Sequence, residues 1–449
     1  MRLKKVVFPL LVILLMALPS ISMADVSEQT VKSKSDANSS PIEFEKLLDL
    51  MIIGPRQLAE LPDGKALNEP QRAMLQQVLV RLDDLPLEDI HRWSQTQKDL
   101  EKALAESDSI RGQFFRLSGN VVSVETVKLS AEDARRLPFK QYYRVRMVLE
   151  GGEPAVEVLT RRVPRVWLRK NKLDERASTF GMYLRRGEKN SSNNEPVFAA
   201  RRVAWHPSTP LGELGMDVGL LESLRDREKT EGQQRECFYQ MLAAVGRAEG
   251  GELILQARDE LKRTGEKSFS VVPLFNEPAE QRGRLVMLSG TARRVVKVQV
   301  KDADIVQRLG IDYYYEIYLY TGDSQDNPLV FCVRYLPEGM PTGSGPKYSQ
   351  QVKIAGFFLK TWAFRPEKAG MSDENADTRQ LAPLLIGREP IWLEPQKTGD
   401  SNPGIGVAAG GLFILVLLIV WLAVWRSAKR DRQFRLGRSS EPFEDSTTT

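Results

Sequence analysis

The chain has 449 residues, a formal net charge of +5, two cysteines and two histidines. So small a charge gives no reason to expect a nucleic-acid partner. His91, His206, Cys237 and Cys332 are too little material for a His/Cys metal site. The chain has no Gly-Xaa-Ser-Xaa-Gly elbow, His-Glu-Xaa-Xaa-His, Walker loop or strand-borne Rossmann fingerprint, so neither an enzyme nor a cofactor is expected.

Arg2, Lys4 and Lys5, the apolar run Val6–Leu18 and Ser22-Met23-Ala24 make residues 1–24 a secretory signal peptide. Residues 25–41 read as a disordered linker, and 42–109 as a helical segment. In that segment Phe44, Leu47, Leu48 and Met51 share one face of Glu43–Met51. Met74, Leu75, Val78, Leu79 and Leu82 form a stripe after Glu69-Pro70, and Leu87–Leu104 resumes the pattern. From 110 to 207 the period becomes two, over Phe115–Val127, Tyr142–Leu149, Ala155–Val163, Thr179–Arg185 and Val197–Trp205. A second helical segment, 208–265, holds Leu214–Leu224, Gln233–Ala244 and Glu252–Leu261. Residues 281–395 again give five strands: Leu285–Val300, Tyr313–Tyr320, Leu329–Leu336, Gln351–Leu359 and Leu384–Trp392. A juxtamembrane linker, 396–404, leads to the uncharged run 405–425, about the 20 residues a transmembrane helix needs. Arg426, Lys429, Arg430, Arg432, Arg435 and Arg438 open a basic tail, 426–449, which the positive-inside rule places in the cytoplasm. The expectation is a single-pass type I protein of the plasma membrane with its folded part outside the cytoplasm, in a bacterial envelope.

Residues 42–395 read as one unit written twice. Leu-Pro-Asp at 61–63 and Gln71–Leu79 fall over Arg225–Asp226 and Gln234–Leu242 at an offset of 163. Leu-Ser-Gly returns at 288–290 after 117–119, and Tyr142-Tyr143 returns as Tyr314-Tyr315. Arg161 with Pro164 returns as Arg334 with Pro337, Gly181 as Gly356, and Trp205 as Trp392. The long connection after the third strand suits a small five-stranded barrel. An SH3-like barrel and a five-stranded sandwich share these features. The Leu-Ser-Gly-Xaa-Val/Ala opening, the Tyr-Tyr second strand and the Gly-centred fourth strand resemble an oligonucleotide/oligosaccharide-binding (OB) fold, loosely of the anticodon-binding type. The expected fold class is therefore α+β: a tandem duplication of a helical segment and an OB-like β-barrel, plus one C-terminal transmembrane helix.

The OB resemblance implies a binding surface on the outward face of strands two and three. Alternation turns Tyr143, Val145, Met147 and Leu149 inward, with Tyr315, Ile317 and Leu319 in the second copy. Outward lie Tyr142, Arg144 and Arg146, with Arg161, in the first copy, and Tyr314, Glu316, Tyr318 and Tyr320, with Arg334, in the second. Of these Tyr142, Arg144, Arg146, Arg161, Tyr314, Tyr318, Tyr320 and Arg334 are the candidate binding residues, because Tyr and Arg are the residue types that anchor interfaces. The repeated Trp205 and Trp392 read as plugs at the end of strand five, and Cys237 and Cys332 as buried small hydrophobes. The function expected is a non-enzymatic binding or scaffold protein for a protein partner at the cell envelope. The alternatives are a receptor for envelope carbohydrate or another polymer, and a structural spacer without ligand. Gly406 and Gly410 offer a close-approach step for homodimerisation through the transmembrane helix.

Overall fold

The computed structural model describes residues 41–104, 110–151, 154–188, 194–228, 230–364, 380–394 and 403–436. The signal peptide, nearly all of the linker 25–41, residues 396–402 and the tail from 437 onward lie outside the described residues. The first unit carries α1 (Pro41–Leu50), α2 (Pro55–Leu58), α3 (Glu69–Arg81), α4 (Leu87–Trp93) and α5 (Gln97–Ala103). It continues with β1 (Phe114–Lys128), α6 (Asp133–Arg136), β2 (Gln141–Leu149), β3 (Ala155–Thr160), β4 (Glu175–Arg186), β5 (Pro196–Ala200) and β6 (Ala204–Trp205). The second unit has α7 (Pro210–Glu213), α8 (Gly232–Arg247), α9 (Glu252–Thr264), α10 (Val272–Asn276), α11 (Pro278–Gln281) and β7 (Leu285–Gln299). It continues with α12 (Ala303–Leu309), β8 (Tyr313–Tyr320), β9 (Leu329–Val333), β10 (Gly343–Ser344), β11 (Gln350–Phe364) and β12 (Gln380–Leu393), and α13 (Pro403–Leu436) follows.

Local chemistry explains the helix limits. Asn68 and Gln71 close a capping box in front of α3, and Gly265, at φ +72°, ends α9 in the left-handed region. The expected helix Leu87–Leu104 is two helices, because Gln95 leaves it to join the sheet. Its N–H donates to the Phe114 carbonyl at 2.9 Å, and its own carbonyl accepts from Arg116 N–H at 2.9 Å. The expected helix Leu214–Leu224 is also broken. α7, capped by Thr209, ends just before it, and within it the chain forms a 3-10 turn over Val218–Ser223, capped by Asp217.

Both sheets have the same wiring. In the first unit β1 pairs antiparallel with β2 and with β4, β2 with β3, and β4 with β5, while β3 and β5 run parallel. In the second unit β7 takes the place of β1, β8 of β2, β9 of β3, β11 of β4 and β12 of β5. Registers match residue by residue. Phe115 faces Gly181 as Val286 faces Gly356, Ala177 faces Trp205 as Val352 faces Trp392, and Thr160 faces Ala200 as Val333 faces Gly387. Even the irregularities coincide, at Val121/Ser123 and Ala292/Arg294 in the first hairpin and at Tyr183/Arg185 and Phe358/Lys360 in the last. This arrangement supports an OB-like fold for each unit.

Two parts of the expected fold class are corrected. Each unit is a six-stranded sheet instead of a five-stranded barrel, because a short strand joins each one, β6 on β4 and β10 on β7. The expected transmembrane helix 405–425 falls within α13, but among the described residues no helix is long and apolar enough to cross a membrane. α13 continues unbroken past Trp425 into Lys429 and Arg430.

Val145, Met147 and Leu149 are buried as alternation demands, and so are Ile317 and Leu319. Trp205 and Trp392 are half-buried at the strand ends, each packed against the core of its unit. Their indole N–H groups donate to Glu175 and Gln350, the first residues of β4 and β11. Cys237 and Cys332 are free and buried, and burial pushes both thiols up.

The units touch where α4 meets α12 and where β6 meets the 218–223 turn. At the first contact Arg308 is held by Glu236 (2.9 and 2.8 Å) and Asp304 (2.6 Å), beside His91 of the first unit. Burial first, and the Arg308 cation next, lower the His91 pKa to about 4. At the second contact His206 Nδ1–H donates to the Met216 carbonyl at 2.9 Å, leaving Nε2 to accept from Ser178 Oγ at 2.8 Å, and burial lowers its pKa as well. An imidazole pKa depressed by folding means that the unfolded chain takes up protons the folded chain refuses. Stability is then complete above the unfolded value of 6.5 and falls as the pH drops from 6.5 toward 4. The melting temperature is expected to be flat above neutrality and to decline across that window, with a shallower decline in His91→Gln. Equal slopes in the two proteins would show that His91 titrates normally.

Candidate functional site: an aromatic pocket of the second unit

In the second unit the strands that alternation singled out carry a cavity. It measures about 350 Å³ and opens between the start of α8, the outward face of β8 and β9, and Trp362 at the end of β11. α8 brings Arg235, Phe238 and Tyr239 to it, one helical turn apart. β8 brings Tyr314 and Glu316, which a strand places on one face because they are two residues apart. Phe238 meets the Tyr239 and Tyr314 rings edge-on, at centroid distances of 5.0 and 5.5 Å.

Glu316 sets a carboxyl among these rings. Tyr314 and Tyr318 donate long hydrogen bonds to its two oxygens, at 3.4 and 3.5 Å. Burial outweighs those bonds and the nearby Arg294, and raises the Glu316 pKa above the usual carboxylate range. Burial and the same carboxylate push up the Tyr314 and Tyr318 hydroxyls, Tyr318 to about 12. Arg235 is neutralised at the rim by Asp302 and lies over the Tyr239 ring at 5.3 Å. Glu231 adds a second carboxyl to the lining. Among the described residues no cluster of His, Cys, Asp or Glu could hold a metal ion.

The matching place in the first unit is filled. Arg144 stands where Glu316 stands, and it is bonded to Glu157 at 3.0 and 2.8 Å. Arg146 stands in place of Tyr318 and bonds Glu195 at 2.9 and 2.7 Å. Val330 takes the place of Glu157 in the second unit, so that carboxylate has no counterpart there. Tyr142 packs on the helical core of its unit. Arg161 bonds Asp83 at 2.8 Å and lies 4.8 Å over Phe139. Arg334 donates to the Tyr313 and Gly310 carbonyls at 2.7 and 3.2 Å. Tyr320 lies under Arg293, 4.5 Å away. Of the eight candidates the structure thus brings Tyr314 and Tyr318 together around Glu316, and gives Arg161 and Arg334 fold-supporting partners. Sequence reasoning missed Phe238, Tyr239 and Trp362. The apolar stripe of α8 was legible, but nothing in it marks which ring faces the sheet.

No protein-family model matches the chain, and no curated protein matches it. Solved structures with partial likeness include the wild-type single-stranded DNA-binding protein of Thermus aquaticus, at 10% identity, 64% of this chain, 97% of that one and a TM-score of 0.15. A deletion mutant of that protein gives 9% identity, 64% and 96% coverage and a TM-score of 0.16. The expected partner set is corrected. With no spanning helix among the described residues, embedding in a membrane and homodimerisation through a transmembrane helix lose their basis.

Proposed function

We propose that this chain is a non-enzymatic binding protein whose second unit takes a cationic side chain, an ammonium or guanidinium, presented by a protein partner. The first unit serves as its scaffold. The observation that carries this reading is the set of rings, Phe238, Tyr239, Tyr314 and Trp362, arranged around Glu316. Ring faces attract a cation by about 0.5–2 kcal/mol each when water is excluded. A carboxyl at the base adds a charge that develops as the cation enters, because the cation draws the raised Glu316 pKa back down and the proton leaves.

The test is a fluorescence and calorimetric titration with Nα-acetyl-lysine amide, its trimethylated form and the neutral norleucine analogue. Both cations are expected to bind, more tightly as the pH rises through the raised Glu316 pKa, and norleucine is not. Glu316→Gln is expected to weaken the cations at least tenfold while the fold survives. Equal binding of norleucine, or an unchanged affinity in Glu316→Gln, would rule the reading out.

A further inference from the structure

A second cavity, of about 360 Å³, lies between the two units and has a different chemistry. One wall is the segment after β3, residues 161–168, and the other is the 3-10 turn Val218–Ser223. Five guanidinium groups line it, those of Arg161, Arg162, Arg165, Arg202 and Arg225.

Their carboxylate partners are fewer. Asp83 serves Arg161 at 2.8 Å and Arg162 at 3.1 Å, and Arg201 also reaches it at 3.7 Å. Asp217 serves Arg202 at 2.6 Å, and Glu222 lies 3.8 Å from Arg165. Arg225 donates to the backbone carbonyls of Glu222 and Leu224, at 3.4 and 3.1 Å, which cancel no charge. Nε of Arg161 and Nε of Arg202 are buried with no hydrogen-bond acceptor. The cleft therefore keeps an excess of positive charge in a space of ligand size.

We infer that this cleft binds a small tetrahedral oxyanion, a phosphoryl or sulfuryl group on a compact molecule. Forked guanidinium donors match such oxygens bidentately, and several forks converging on one cavity favour a doubly charged group over a single carboxylate. The charge excess belongs to the second copy of neither wall. Arg162 is matched by Tyr335, Arg202 by Glu389 and Asp83 by Gly246, so the duplication itself does not require it.

The probe is inorganic pyrophosphate, with sulfate and acetate as comparators, in chloride buffers of equal ionic strength so that general screening is constant. Calorimetry and thermal unfolding of the full chain are expected to show pyrophosphate binding at least tenfold more tightly than acetate. Arg162→Gln with Arg225→Gln is expected to lower the pyrophosphate affinity at least tenfold. The more exposed Arg165→Gln, which disturbs the fold least, is expected to lower it severalfold. Arg135→Gln with Arg136→Gln, away from the cleft on α6, is expected to change nothing. A pyrophosphate response no larger than that of acetate overturns the inference, and so does an unchanged affinity in Arg165→Gln. Neither result bears on the aromatic pocket, whose cationic probes and Glu316 variant are separate.

Discussion

Replacing Arg111 by alanine is expected to destabilise the first unit by about 3–5 kcal/mol, the range for breaking a buried charge pair from one side. Arg111 is buried where the helical segment meets the sheet. Its Nη1 donates to the carbonyls of Leu58, Leu61 and Leu184, at 3.3, 2.9 and 2.8 Å. Its Nη2 meets Asp63 at 2.8 Å, and the other oxygen of Asp63 accepts from the Arg186 N–H. Truncation would leave three carbonyls and a carboxylate facing a void. The second unit repeats the clamp. Arg282 binds Asp226, and Asp226 accepts from the Thr361 N–H at 2.9 Å. Arg282→Ala should therefore be costly in the same way. Chemical denaturation measures both losses. Adding Asp63→Ala to Arg111→Ala should cost less than the sum of the single changes, because the second change removes a group the first had stranded. A loss under about 1 kcal/mol for Arg111→Ala would mean that water replaces the clamp at no cost.

Gly119→Ala and Gly290→Ala should each lose about 3 kcal/mol, at the upper end of overpacking effects. A methyl at Gly119 would lie 2.0 Å from the Val148 carbonyl oxygen, and one at Gly290 would lie 2.3 Å from that of Tyr320. Both obstacles are backbone, so the first two strands of the sheet must part before the methyl fits. Gly322→Ala is the control. Nothing lies within 4 Å of the new atom there, so its change is expected within about 0.5 kcal/mol. Urea midpoints for the three variants test this, and equal midpoints would show that the strands separate freely.

These two features mark how far the chain could be read without its structure. The repeat was visible because residues with unusual backbone or ring demands recur in order, and their registers coincide: Gly181 with Gly356 opposite the first strand, Trp205 with Trp392 opposite the fourth. Inward and outward faces followed from period two alone. Asp63 and Asp226 also stood in aligned segments, but their arginines are 48 and 56 residues away along the chain, a pairing that only the folded contact reveals. Of the eight candidate residues, Tyr314 lines the aromatic pocket and Arg161 the cleft between the units. Arginine and tyrosine score alike as interface formers, and only the neighbouring strand decides whether a guanidinium meets Glu157 and closes or whether Val330 leaves the space open. The continuous helix expected over 87–104 failed for a related reason, since the sheet takes up Gln95 against its local preference.

The coincident irregularities in β1 and β7 make the two units exchangeable in part. A graft of Phe114–Val148 onto the place of Leu285–Tyr320 would arrive with its inward residues already in phase, because each hairpin slips by one residue at the same point. What such a graft cannot carry across is the loop. α12 would be lost with it, and with α12 the Arg308 that sits between Glu236 and the His91 of the other unit. The inward faces of the strands are thus the interchangeable stock of this protein, while the outward face of the second strand and the loop before it give each copy its individuality.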